Sequence, residues 1–296
     1  NNGMEFLIYE TLRDRFIVRN HGFHDRIYNQ KEMINFWEQS KEIDKFEIGS
    51  RYFAELRGKK NIFNNDEHIP NYFLNKPFIV FFTNSDDEAV GFWESWNTPM
   101  LDQISMIQHM QTLINKKSDV NFIVKIHPNL VNKPFHVQKR WEKLRSNNNT
   151  FVIKPNQKIS TYELITKAKA VFSFGSTASL EAAFCKIPSF VLADCWFDQI
   201  GAVTKIENID EIEVILKNLD FSKINLENSQ RAAAIRGYWL ERAGNSFSNS
   251  KLREIGWGAW EADSIFNSSL IRPTIFTMLS KIINRSKRLL RGLSNS

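Results

Sequence analysis

The residues best suited to chemistry begin with His127 and Pro128, in "FIVKIHPNL" (122–130). An apolar run ends at Ile126, and Pro128, which has no N–H, cannot continue a strand ladder. An imidazole at such a strand end can donate a hydrogen bond to a phosphate or carry positive charge beside one. The plainer alternative is a loop histidine with a solvated ring. A second group lies in "FSFGSTASLEAAF" (172–184). Gly175 permits a tight turn, and Ser176 and Thr177 open a helix whose first N–H groups and dipole suit an anion. No GKS or GKT follows, and the full G-x-G-x-x-G pattern is missing. A simple Ser/Thr helix cap is the competing explanation. Glu181, one turn further on, could accept two hydroxyl hydrogen bonds, as a ribose offers; otherwise it is an exposed helix glutamate.

A third group, "TNSDDEAVGFWESW" (83–96), places Ser85, Asp86, Asp87 and Glu88 after another apolar run. Its acids suit a base or a metal contact, or simply a solvated loop. His21, His24 and Asp25 have the types for a metal site, but no further strong ligand accompanies them, so no metal is expected.

Alternating elements must position these groups. Apolar runs predict strands at 77–83, 121–126, 151–154, 170–174 and 188–194. Helical patterns predict helices at 98–116, with Pro99 in the first turn, and at 134–146. Further helices are expected from Ser160, where Glu163 completes a capping box, and at 176–186, 209–218 and 226–242. Strand–helix alternation with near-continuous apolar strands indicates an α/β fold with a parallel sheet covered on both faces. Ligands of such sheets bind beyond the C-terminal strand ends, where His127 and Ser176 both fall. The expected division is an incomplete N-terminal domain and connection at 1–75, a Rossmann-like nucleotide-sugar domain at 76–225, helices at 226–263 and a tail at 264–296. The opening "NNGMEFLIYETLRDRF" reads as the inside of a domain, so a preceding N-terminal portion is expected.

The chain has 296 residues, 42% of them hydrophobic, which supports a sizeable core. Two cysteines, Cys185 and Cys195, make no disulfide framework. The net charge of +6 has one address. Residues 264–296 hold Arg272, Lys281, Arg285, Lys287, Arg288 and Arg291 and no acid, and the rest of the chain is neutral. That distribution does not indicate a nucleic-acid partner. Residues 272–293 are amphipathic with a basic face, which suits contact with an anionic membrane or packing on the body. No run reaches the length of a membrane span.

"KIHP", followed by a strand–"GSTASLEAAFCKIP"–strand unit, resembles the C-terminal half of bacterial capsule and surface-polysaccharide glycosyltransferases, including Kdo transferases and polysialyltransferases. The likeness covers residues 76–205 and extends to "SDDE" (85–88) and Gln103. It implies a two-domain GT-B fold in which His127 and Pro128 match the HP motif, and Ser176 and Thr177 the Ser–Ser/Thr motif that binds the donor nucleotide. It also implies a nucleotide-activated sugar donor, a glycan or glycolipid acceptor, no cofactor and no metal. A cytoplasmic site, peripheral on the inner face of the plasma membrane, is expected. The acidic D/E-D/E-G motif that supplies the general base in that family has no match here; "DDEA" comes nearest. Two alternatives are a CDP-glycerol-type glycerophosphotransferase of teichoic-acid synthesis and a non-catalytic nucleotide-binding partner.

Overall fold

The apolar runs become strands of one six-stranded parallel sheet. The computed structural model describes residues 6–8, 15–19, 26–60, 69–85, 101–117, 119–243, 245–246, 252–256 and 259–262. The strands are β1 (Phe78–Phe82), β2 (Asn121–Lys125), β3 (Thr150–Ile153), β4 (Ala170–Ser173), β5 (Ser189–Val191) and β6 (Thr204–Lys205). Their order across the sheet is β3-β2-β1-β4-β5-β6. β1 is central, with Val80 registered against Ile123 of β2 on one side and Val171 of β4 on the other. The order reverses between β1 and β4, and open parallel sheets bind ligands at such a reversal.

Helices cover both faces. They are α1 (Arg26–Gln39), α2 (Lys45–Lys60), α3 (Asn71–Leu74), α4 (Gln103–Asn115), α5 (Phe135–Trp141), α6 (Thr161–Lys167), α7 (Thr177–Phe184), α8 (Ile209–Asn218) and α9 (Leu226–Arg242). Alternate residues of β1 serve alternate layers. Ile79 and Phe81 pack with Ile107, Met110, Trp141 and Leu216 beneath α4, α5 and α8. Phe78, Val80 and Phe82 pack with Phe73, Leu164, Ile165 and Ala182 beneath α3, α6 and α7. This two-sided burial explains why β1 reads as five consecutive apolar residues.

Helices α1 and α2 pack against α9 and the loop that leaves β5. Gln30, fully buried, donates to the Cys195 carbonyl at 3.2 Å and to Asp198 Oδ1 at 2.7 Å. Its own Oε1 accepts from the Gln199 N–H at 2.6 Å. Short antiparallel pairings join Phe6–Ile8 to Arg15–Arg19, Arg15–Arg19 to Asn245–Ser246, and Leu252–Gly256 to Ala259–Ala262.

Several boundaries differ from the sequence expectation. α4 begins at Gln103, because Asp102 caps it by accepting from the Ile104 and Ser105 N–H groups, and Pro99, expected in the first turn, lies outside the described residues. β5 ends at Val191, where the chain bends to carry Asp194–Asp198. α5 stops at Trp141, and turns at Lys143 and Leu144 replace further helix. β6 was not expected, since two partly exposed residues at a sheet edge leave no apolar run.

Candidate functional site

The C-terminal edge of the sheet gathers the two strongest sequence candidates around the reversal between β1 and β4. His127 follows β2, and the Gly175–Thr177 turn follows β4. Residues after β1 tie them together. Thr83 Oγ1 accepts the His127 N–H at 2.8 Å. Asn84 donates its side-chain amide to the Phe174 carbonyl at 2.9 Å, and its own N–H is held by Gln103 Oε1 at 2.9 Å. Thr83 and Asn84 were not singled out from sequence. The available signal was "FFTN", polar residues directly after an apolar strand.

The His127 ring has a defined role in its own loop. Its Nδ1 accepts the Asn129 N–H at 3.3 Å, so the neutral ring carries its proton on Nε2. Pro128 starts a 3₁₀ turn, Pro128–Asn132, that the histidine caps. The ring is half-buried and Pro128 is exposed.

The second turn is built from the inside by Ser173. This fully buried hydroxyl accepts the N–H groups of Gly175 and Ser176, both at 3.0 Å, and lies 2.7 Å from Ser179 Oγ. A hydroxyl has two acceptor positions and one proton. With both acceptor positions filled, Ser173 donates to Ser179. Ser179 is held in turn, since Ser189 Oγ donates to its carbonyl at 2.8 Å. Gly175 takes φ +96°, and Ser176 caps α7 through the Ala178 N–H at 3.4 Å.

Donors available to an anion are therefore fewer than the sequence suggested. The Gly175 and Ser176 N–H groups point to Ser173, and that of Ser179 goes to the Ser176 carbonyl at 2.9 Å. The Thr177 N–H meets no acceptor among the described residues, and Thr177 is exposed. The outward donors are this N–H and the hydroxyl protons of Ser176 and Thr177. Substituting Ser173 by alanine is expected to cost about 1–3 kcal/mol, because two N–H groups lose their acceptor. Ser179→Ala, which leaves Ser173 able to accept both, is expected to cost less. Urea denaturation of the two variants measures the difference.

The remaining candidates separate. Glu181 is 2% exposed, so it is not the exposed helix glutamate considered from sequence. It faces Tyr162 of α6. Burial, and then the charge of Glu181, push that phenol well above its usual range. Ser85 is fully buried. Asp86, Asp87 and Glu88 lie outside the described residues, as do His21, His24, Asp25 and the tail 264–296. Among the described residues no three His, Cys, Asp or Glu side chains cluster as metal ligands, and no helix is long and apolar enough to cross a membrane.

No family profile matches the sequence, and no curated protein matches it. Several solved structures are similar to this chain. The KpsC β-Kdo 2,4-transferase of Thermosulfurimonas dismutans matches at 12% identity and a TM-score of 0.46, over 78% of this chain and 70% of that one. The KpsC β-Kdo 2,7-transferase of the same organism matches at 17% identity and 0.42, over 75% and 62%. A UDP-N-acetylglucosamine 2-epimerase structure from Listeria monocytogenes matches at 17% identity and 0.37, over 57% of this chain and 43% of that one. This chain thus spans less than half of that epimerase. The assignment to the α/β class rests on the sheet itself.

Proposed function

We propose that this chain forms the donor-binding part of a glycosyltransferase that moves a sugar from a nucleotide-activated donor to a growing surface glycan of the capsule or lipopolysaccharide type. One observation supports this most. His127 and the Gly175–Thr177 turn stand on either side of the β1 end at the sheet's reversal, and Thr83 and Asn84 bind the backbones beside both.

The chemistry follows from where charge develops. As the glycosidic bond breaks, negative charge grows on the leaving nucleotide phosphate. Donors already aimed at that charge stabilise the transition state, because they need no reorganisation as it forms. The Thr177 N–H, the Ser176 and Thr177 hydroxyls and the imidazole N–H of His127 are donors of that kind. In this proposal they act without a metal or cofactor. The acceptor hydroxyl must lose its proton to a base. In the family that the motifs resemble, that base comes from the N-terminal domain, and Ser85, Asp86 and Glu88 are proposed only as loop contacts to the donor. Pro128 fixes the exit of the His127 loop, while Glu181, expected as a ribose partner, is buried against Tyr162 and is left out of this reading.

Calorimetric titration with CMP, UDP, GDP and CDP tests the reading. One nucleotide is expected to bind, and His127→Ala is expected to weaken it about tenfold or more, as the loss of a hydrogen bond to a charged group does. Binding of none of the four, or equal binding by the variant, would overturn it. Preference for CDP would favour the glycerophosphotransferase alternative.

A further inference from the structure

The outer face of residues 128–145 carries charge and apolar surface that the nucleotide site does not use. Lys139, Arg140, Lys143 and Arg145 are exposed along this segment and Lys133 is half-buried, against one acid within it, Glu142. α5 turns Trp141 into the core and Leu144 follows it inward. Phe135 and Lys139 are left exposed one turn apart on α5, and Lys143 is exposed in the turn that follows it. Phe135 is 73% exposed, and Val131, on the preceding 3₁₀ turn, 47%.

These two apolar side chains are held as a unit. The Gln138 side-chain amide donates to the Val131 carbonyl at 3.1 Å and to the Lys133 carbonyl at 2.6 Å. The turn bearing Val131 is thereby clamped to the helix bearing Phe135. The charge of Arg140 is felt by Asp102, which caps α4.

We propose that this face docks on an anionic lipid surface, with Phe135 and Val131 entering the headgroup layer and Lys139, Lys143 and Arg145 lying against lipid phosphates. An outward helix face is convex, and lysine is a mobile point charge on a flexible stem. Both suit the diffuse negative potential of a bilayer better than the fixed carboxylate array of a glycan. Exposed apolar side chains ringed by cations are the composition that interfacial segments use. The segment begins at His127, so docking here would set the mouth of the crevice beside the bilayer.

Co-sedimentation of the full chain tests this, with vesicles of phosphatidylcholine alone and of phosphatidylcholine mixed with phosphatidylglycerol. The mixed vesicles are expected to retain the chain, and Lys139→Glu with Lys143→Glu to lower partitioning by at least about tenfold. Phe135→Ser, which leaves charge unchanged, is expected to lower it several-fold. Lys76→Glu with Lys217→Glu, exposed at the opposite edge of the sheet, is the control and should have little effect. Three outcomes would overturn the proposal: retention unaffected by the variants at 135, 139 and 143, an equal loss in the control, or no retention at all. Binding of dextran sulfate without vesicle binding would assign the face to an anionic glycan instead. The assay contains no nucleotide, so its failure and that of the donor-site reading are told apart.

Discussion

Replacing Gly175 with alanine is expected to destabilise the chain by about 2–5 kcal/mol, from two separable causes. The first is conformational. Gly175 holds φ +96°, outside the regions that side chains with a Cβ occupy comfortably. The second is steric. A Cβ on Gly175 would stand 2.6 Å from Cys195 Cβ, far inside contact distance, and Cys195 is itself buried in the core beside Leu180 and Val191. A double variant separates the two causes. Cys195→Gly removes the atom that clashes but leaves φ unchanged. Relative to Cys195→Gly alone, the added Gly175→Ala should therefore cost only the conformational part. If its cost is the same in both backgrounds, packing against Cys195 does not matter at this turn. The same change should loosen Ser176 and Thr177, because the Ser173 hydroxyl holds Gly175 and Ser176 together. Any anion bound at the turn should be lost with it.

Much of this architecture was legible in the chain. "FIVFF" and "NFIVK" are strands buried on both faces, and continuous apolar runs report that directly. α9 spans Leu226–Arg242, the expected range, because Asn225 caps it through the Asn228 N–H. Ser160 likewise caps α6 through Glu163 N–H. Caps are local, and local rules find them. The positions of His127 and Ser176 at one sheet edge followed from strand direction alone.

What escaped depends on contacts distant in sequence, or on which way a small polar side chain turns. Ser173 reads from the sequence only as part of the strand at 170–174. Its hydroxyl folds over the next two N–H groups, a serine-turn pattern that competes with ordinary strand exit. That pattern was available in "SFGS", but its burial against Ser179 and Ser189 was not. Glu181 reads from the sequence as a ribose acceptor or an exposed helix glutamate, since a lone glutamate on a short helix is seldom buried. Tyr162 on a separate helix is what receives it. Gln30 could not have been chosen from the sequence, since its partners Cys195, Asp198 and Gln199 lie far along the chain.

Gly49 and Gly237 are a further distant pair, and they set the second large effect. They face each other across α2 and α9. A Cβ on Gly237 would overlap the Gly49 carbonyl oxygen, and one on Gly49 would overlap that of Ala234. The obstructing atoms are helix backbone, so no rotamer change relieves them and the helices must separate. Alanine favours a helix over glycine by about 1 kcal/mol, yet Gly237→Ala is expected to lower stability by about 2–4 kcal/mol, because overpacking outweighs propensity. Gly58 supplies the control within α2. A Cβ there meets nothing within 4 Å, so Gly58→Ala should raise stability by up to about 1 kcal/mol. Opposite signs in thermal denaturation would establish the close approach of the helices; a stabilising Gly237→Ala would refute it. The effect should also reach the candidate site. Phe53 of α2 stacks on Phe184, the last residue of α7, with ring centroids 4.2 Å apart, and Gln230 of α9 donates to the Phe184 carbonyl at 3.0 Å. Forcing α2 and α9 apart therefore strains both supports at the C-terminal end of the helix whose N-terminal turn holds Ser176 and Thr177. Gly237→Ala should weaken nucleotide binding as well as stability, although Gly237 itself lies in α9, away from that turn.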